Sequence, residues 1–364
     1  MVVLLHFYTP NGLIWSLAVV QGGWLWVDFF FVLSGFVIFA SYGERLRSGF
    51  AVGRFLWLRL GRIYPLHLAV LAAFLAYELL IGLTGWLGRA PFAGDMRAAD
   101  LVPSLLLVQV FIGDSMAWNA PAWSIAVEIW VYLLAALLLA FAGRLFWPSV
   151  VLLVAAAAIG LALDSRYLVQ LGELTALRGW YGFGLGMIAL ALFRRRGGGP
   201  RLTFARATAL EIALVAGGVL FLSLARDGGW PSMLAPPAFA IGVFVFAAQA
   251  GAVSRLLLAA PLRTLGLLSY SIYLTHMFVL DRLHDAVAAL DWPGLATVGT
   301  HASGDRFVDA APLVSDLLTA LFLAAVVALS WLTCGYIERP AREWSRRAAK
   351  RRAAAGAAAA AAAS

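Results

Sequence analysis

The sequence predicts an all-α fold: a polytopic membrane bundle of about ten transmembrane helices with both termini cytoplasmic. Three observations carry that expectation. First, 63% of the 364 residues are hydrophobic and only 13% are charged, against about a quarter charged in ordinary soluble domains; mean hydropathy is +0.88. Second, apolar stretches of bilayer-spanning length recur at roughly 1–20, 24–42, 60–82, 121–142, 147–164, 180–193, 208–225, 233–250, 264–281 and 313–336. Third, with those spans twenty of the 27 Lys and Arg residues fall on one side and seven on the other, an asymmetry that orients membrane proteins with the basic side inward. The net charge of +8 therefore reads as short anchoring blocks between spans. Nucleic-acid binding is excluded on the same ground. The one cysteine, Cys334, lies in the last span, so no disulfide framework and no Cys/His metal signature is expected.

The first span places His6 at membrane depth and is broken by Pro10-Asn11-Gly12, which predicts a half-helix or a span whose beginning lies upstream of Met1. A neutral imidazole there suits a general base, or a histidine hydrogen-bonded into the bundle. The second span opens with Asp28 and continues to Ser34-Gly35. A carboxylate inside a membrane costs about 2.5–3.5 kcal/mol on insertion scales, so Asp28 must face protein or water with a partner. The small Ser-Gly pair lets a neighbouring helix approach closely. Arg54, Arg59 and Arg62 head the third span before Ile63-Tyr64-Pro65; they are either cytoplasmic anchors or, as guanidinium forks, a clamp for phosphate.

The long outer loop 83–120 and its counterpart 282–312, with Asp285, Asp291, Asp305 and Asp309, are expected to cover an extracytoplasmic mouth. Gly113-Asp114-Ser115 resembles the start of an esterase nucleophile motif, and its place in an outer loop without a following soluble domain favours coincidence. The fourth span enters from outside through Trp123-Ser124-Ile-Ala-Val-Glu128. Ser124 and Glu128 are four apart and share a face, and an intramembrane glutamate is a candidate functional group or an ion-pair partner; Trp123 equally fits an interfacial aromatic belt. Arg178, opening the sixth span before Gly182-Phe-Gly184-Leu-Gly186, is a cavity residue or an interface anchor. Ser269, Tyr273 and His276 form one polar stripe on the ninth span, lining a cavity or joining helices. His67, His284 and His301 show no partner pattern. The membrane domain is expected to fill 1–345, and the basic then alanine-rich tail 346–364 to be disordered.

Five segments in this order, Trp26-Val-Asp28-Phe-Phe-Phe-Val-Leu-Ser34-Gly35, Arg59-Leu-Gly-Arg62-Ile-Tyr64-Pro65, Pro121-Ala-Trp123-Ser124-Ile-Ala-Val-Glu128, Ser269-Tyr270-Ser271-Ile-Tyr273-Leu-Thr275-His276 and Glu338-Arg339-Pro340, resemble acyltransferase family 3, integral membrane enzymes that O-acylate carbohydrates and other extracytoplasmic or lipid-linked acceptors. The resemblance covers nearly the whole chain. It implies about ten spans in the inner (plasma) membrane, an acyl-CoA donor (most often acetyl-CoA) and an essential first-span histidine, here His6. It also links arginines of the third span to the donor, here Arg59 and Arg62, with Tyr64 in the same motif. The family usually has an arginine about ten residues before that histidine, and this chain starts too late to contain it. Thr275 stands where an aromatic is common.

On these expectations His6, Asp28 and Glu128 form the catalytic group, with either carboxylate holding the imidazole tautomer. Ser34, Trp123, Ser124, Arg178, Tyr273 and His276 line the substrate path. The competing class is a transporter or flippase, which would bind with the same polar groups and release no CoA. A structural scaffold would be indifferent to loss of His6 or Arg59.

Overall fold

A computed structural model describes residues 1–86, 88–164, 167–169, 174–199, 201–290, 295–301 and 306–363. The protein is an all-α polytopic bundle with one small hairpin. Among the described residues, seven helices are long and apolar enough to cross a membrane. In chain order the helices are α1 (Val2–His6), α2 (Leu13–Ser16), α3 (Ala18–Gln21), α4 (Trp26–Arg47), α5 (Val52–Thr84), α6 (Leu101–Leu106) and α7 (Ala122–Phe141). They continue with α8 (Phe146–Leu163), α9 (Thr175–Arg195), α10 (Phe204–Leu224), α11 (Ala235–Phe246), α12 (Ala252–Leu257), α13 (Ala260–Leu290), α14 (Pro312–Thr333) and α15 (Arg339–Ala363).

The expected first span is not one helix. After α1 the chain turns through Phe7–Gly12 and resumes as two single-turn pieces, because Pro10 supplies no N–H and Asn11 and Gly12 favour turns. That turn is tied to other elements: Asn11 donates to Oδ1 of Asp309 at 2.9 Å and to the carbonyl of Ala310 at 3.1 Å, and the Ile14 N–H donates to Oδ1 of Asp316 at 3.1 Å. The expected ninth span is longer than its apolar stretch. α13 runs on to Leu290, so much of the acidic outer segment is helix. The rest is an antiparallel hairpin, β1 (Ala296–Thr300) with β2 (Arg306–Ala310), in the register Ala296↔Ala310 to Thr300↔Arg306. Its Val308 N–H donates to the carbonyl of Tyr8 at 3.3 Å, so the hairpin holds the segment that follows His6. Arg166, Asp291 and Asp305 lie outside the described residues.

α7 and α9 form the centre, with 56% and 61% of their apolar windows buried, whereas α8 and α10 bury only 22% and 17% and turn leucines such as Leu152 and Leu220 outward. Apolar side chains facing outward on such helices fit a lipid surround. The Ser34-Gly35 signal works as its small residues suggest. α4 and α9 pack so closely that a Cβ on Gly35 would meet the carbonyl of Phe183, and one on Gly186 the carbonyl of Val32. Backbone cannot give way as a side-chain tip can, so Gly186→Val is expected to destabilise by about 1–3 kcal/mol or more. The check is the fraction that stays monodisperse in detergent and its melting temperature; wild-type values would contradict this packing.

At the chain's end a π-helical turn, Cys334–Glu338, precedes Pro340, whose missing N–H breaks the regular ladder. The tail expected to be disordered continues α15 as helix to Ala363, in keeping with alanine's helix propensity. α15 lies against the start of α5: Trp57 donates to the carbonyl of Ser345 at 3.0 Å and stacks near Trp344.

Candidate functional site

α1 ends at a cavity of about 1050 Å³ walled by His6, Tyr8 and Trp15 from the N-terminal turn, the end of α5, the loop 89–120, the outer half of α13 and the hairpin. Loop residues reach the cavity because they are pinned. Asn119 donates to the carbonyl of Leu274 at 3.0 Å, and Trp118, 1% exposed, donates to the carbonyl of Arg97 at 3.0 Å. Arg89 closes one wall in a paired contact with Glu78, and that carboxylate raises the guanidinium above its ordinary value.

The geometry around His6 fixes its tautomer. His6 Nδ1 lies 2.8 Å from the carbonyl of Val2 and 3.4 Å from Nε2 of His276, with the two rings 5.0 Å apart. His276 Nδ1 lies 2.6 Å from the carbonyl of Tyr273. A carbonyl only accepts, so His276 carries its proton on Nδ1 and, when neutral, presents a lone pair at Nε2. Both neighbours of His6 Nδ1 are then acceptors. A proton on Nδ1 of His6 satisfies both, and in the neutral ring leaves the lone pair to Nε2, the arrangement a base needs.

The two carboxylates expected to orient this imidazole have other partners. Asp28 is fully buried and both its oxygens take Arg178: Nε to Oδ1 at 2.9 Å and Nη2 to Oδ2 at 2.7 Å. The guanidinium also donates to the carbonyl of Trp24 at 3.3 Å and lies between the rings of Trp24 and Trp123, at 5.4 and 5.3 Å. Arg178 thus joins α9 to the head of α4. Glu128 accepts from Ser34 at 2.6 Å and from Tyr132, and Ser34 and Tyr132 are 2.8 Å apart. The ring nitrogen that faces Nδ1 of His6 is Nε2 of His276.

Other expected residues spread along the bundle. Ser124 contacts the Tyr273 hydroxyl at 2.8 Å and donates to the carbonyl of Pro121 at 3.1 Å. Tyr64 donates to the carbonyl of Leu105 at 3.0 Å, which takes it away from the arginines of its motif. Arg59 lies about 28 Å from Glu78 along α5, at 1.5 Å per residue, so the arginines and the His6 cavity are at opposite ends of the bundle. Arg59 donates to the Tyr42 hydroxyl at 3.1 Å and its Nε is buried without a partner among the described residues; Arg54 lies over Phe50 and its Nε is in the same state. Arg62 is exposed. None of these three reaches a carboxylate of the described residues within ion-pair distance. A second cavity, of about 520 Å³, opens there between α5 and α15, lined by Phe50, Arg54, Trp57 and Arg352.

Separate polar groups lie between the two ends inside the bundle: Arg59 with Tyr42, the Glu128, Ser34 and Tyr132 group, Ser124 with Tyr273, and His276 with His6. His284 and His301, which show no partner pattern in the sequence, both line the large cavity. His284 was findable: it continues the helical face of His276 two turns on. His301 was not, since it reaches the site through the hairpin, beside Tyr8 at 4.9 Å.

No solved structure matches the chain. Protein 2 in the picA locus of Rhizobium radiobacter is 34% identical over 116 residues, a match covering 29% of this chain and 61% of that protein, so the chain spans less than two thirds of that relative's length. The sequence model of the family described as acyltransferase domain matches residues 1–339. Since that model covers nearly all of a multi-pass helical bundle, the chain belongs to this family, acyltransferase family 3.

Proposed function

We propose that this acyltransferase moves an acyl group, foremost acetyl, from acyl-CoA to a hydroxyl of a carbohydrate or other lipid-linked acceptor at the inner (plasma) membrane. The observation that carries the reading is His6, a wall of the large cavity, whose Nδ1 faces the Val2 carbonyl and Nε2 of His276. In this mechanism Nε2 of His6 takes the proton of the acceptor hydroxyl as its oxygen attacks the thioester carbonyl. The C–S bond of the resulting tetrahedral intermediate breaks, and the CoA thiolate recovers the proton from His6. The positive charge that His6 carries meanwhile is supported by the Val2 carbonyl and by the His276 lone pair.

The donor reading is supported by Arg54, Arg59 and Arg62, cations without carboxylate partners among the described residues at the opposite end of α5, where phosphate groups would find guanidinium forks. The basic ends of α4 and α9 meet there too, Arg194 donating to Glu44 at 3.2 Å. That end would face the cytoplasm under the positive-inside asymmetry, and the His6 cavity would open on the other side to the acceptor.

The experiment supplies labelled acetyl-CoA to membrane vesicles and follows free thiol together with label on glycolipid or polysaccharide. Arg59→Ala is expected to raise KM for acetyl-CoA about tenfold, the weight of one charge-assisted contact, while kcat falls less. An unchanged KM for the donor with a depressed kcat would move Arg59 out of the donor site. Absence of thiol release from well-inserted wild type with acetyl-CoA and with longer acyl donors would favour transport.

A further inference from the structure

His284 is 3% exposed, lines the large cavity, and has no hydrogen-bond partner at either ring nitrogen among the described residues. Its ring is 6.4 Å from that of Phe7, the neighbour of His6. An imidazole always offers at least one N–H, and when neutral one lone pair as well; buried groups of this kind are nearly always matched, and an unmatched one at a cavity wall points to a ligand that completes it. Nη1 of Arg282 is buried and unmatched in the same wall, although the rest of that guanidinium is fixed by Asp285, at 3.0 Å from Nε and 2.9 Å from Nη2, and lies over the Tyr77 ring.

The charge of the wall limits what that ligand is. The described lining residues include five carboxylic side chains, Glu78, Asp95, Asp114, Asp281 and Asp285, and three arginines. Each arginine already has a carboxylate: Arg89 holds Glu78, and Arg282 and Arg306 share Asp285. An acceptor carrying carboxylate or phosphate would enter a field of its own sign, with the charge of each arginine already offset by a carboxylate. Hydroxyl and amine groups meet acceptors and donors suited to them.

We propose that His284, with Nη1 of Arg282 and the carboxylate of Asp281, is an acceptor-recognition subsite about 12 Å along α13 from His276, selecting a polyhydroxy compound free of anionic groups. The proposal rests on reading the His6 cavity as the acceptor site. Tyr8 and Trp15, whose rings meet edge-on at 4.3 Å, give the same cavity apolar faces for the C–H side of a sugar.

The test uses the full chain in proteoliposomes, acetyl-CoA, and a membrane glycolipid extract as the acceptor source, reading thiol release. Methyl glucoside, glucosamine and glucuronate are added as competitors. The expected result is competition by methyl glucoside and glucosamine with glucuronate at least about tenfold weaker, a loss of about tenfold in their competition in His284→Leu, and partial recovery in His284→Asn, which keeps a donor and an acceptor. Melting temperatures show whether each variant is folded; if His284→Leu is not, the wild-type ranking and His284→Asn decide. Glucuronate equal to the neutral sugar, no competition by any of the three, or a folded His284→Leu with unchanged competition would overturn the subsite while thiol release upholds the acyltransferase reading of the cavity. No thiol release with any acceptor would instead overturn that reading and the subsite with it.

Discussion

His6→Ala is expected to slow transfer by about 10²–10⁴-fold if His6 is the base proposed above, with KM for acetyl-CoA little changed, since the phosphate contacts proposed for the donor lie at the other end of α5. The tautomer makes the prediction sharper. His276→Gln removes the ring nitrogen that faces His6 Nδ1 while leaving the base itself, so its loss is expected to be smaller and to appear in kcat, with the acidic limb of the pH–rate profile displaced. His276→Leu, which offers no polar atom there, is expected to lose more. Stopped turnover in vesicles at saturating acetyl-CoA gives the comparison. If His6→Ala keeps wild-type kcat, His6 is not the base.

Arg178→Met and Asp28→Leu, each alone, are expected to destabilise the protein by about 3–5 kcal/mol, because each leaves one charge buried without its partner. The pair sits at 3% and 0% side-chain exposure, so water cannot take the partner's place. The double variant Asp28→Leu/Arg178→Met removes both charges and is expected to recover most of that stability, giving a strong coupling in the double-mutant cycle. Thermal unfolding of the detergent-solubilised protein measures it. Activity discriminates further. A purely structural pair returns turnover along with folding in the double variant, whereas a carboxylate acting on His6 would leave the refolded double variant slow.

Much of the bundle was legible because lipid imposes strong local rules: length, apolar content and side-specific charge are all read within one span. The breaks were legible for the same reason at Pro10-Asn11-Gly12, where the missing N–H and turn preference are local, so the turn after α1 follows from three residues. What the sequence hid was pairing across distance. Asp28 and Arg178 are each visibly anomalous in an apolar helix, yet nothing local says that they satisfy one another across 150 positions. The same holds for His6 and His276, 270 positions apart, so the orienting role went by analogy to a carboxylate. The cavity wall was least legible. It is built from the loop 89–120, from a helix that outruns its apolar stretch, and from a hairpin, and its polar residues carry no periodicity of a membrane span.

In the proposed function, donor and acceptor meet from opposite ends of the bundle, the donor at Arg59 and the acceptor at the His6 cavity. The measurement is sidedness in sealed proteoliposomes whose orientation has been fixed by protease access to α15: acetyl-CoA is placed on the α15 side only, and membrane-impermeant acceptor on one side or the other. Transfer with the acceptor opposite α15, and none with it on the α15 side, is the result the two-ended site predicts. Transfer that requires acetyl-CoA and acceptor on the same side would contradict it.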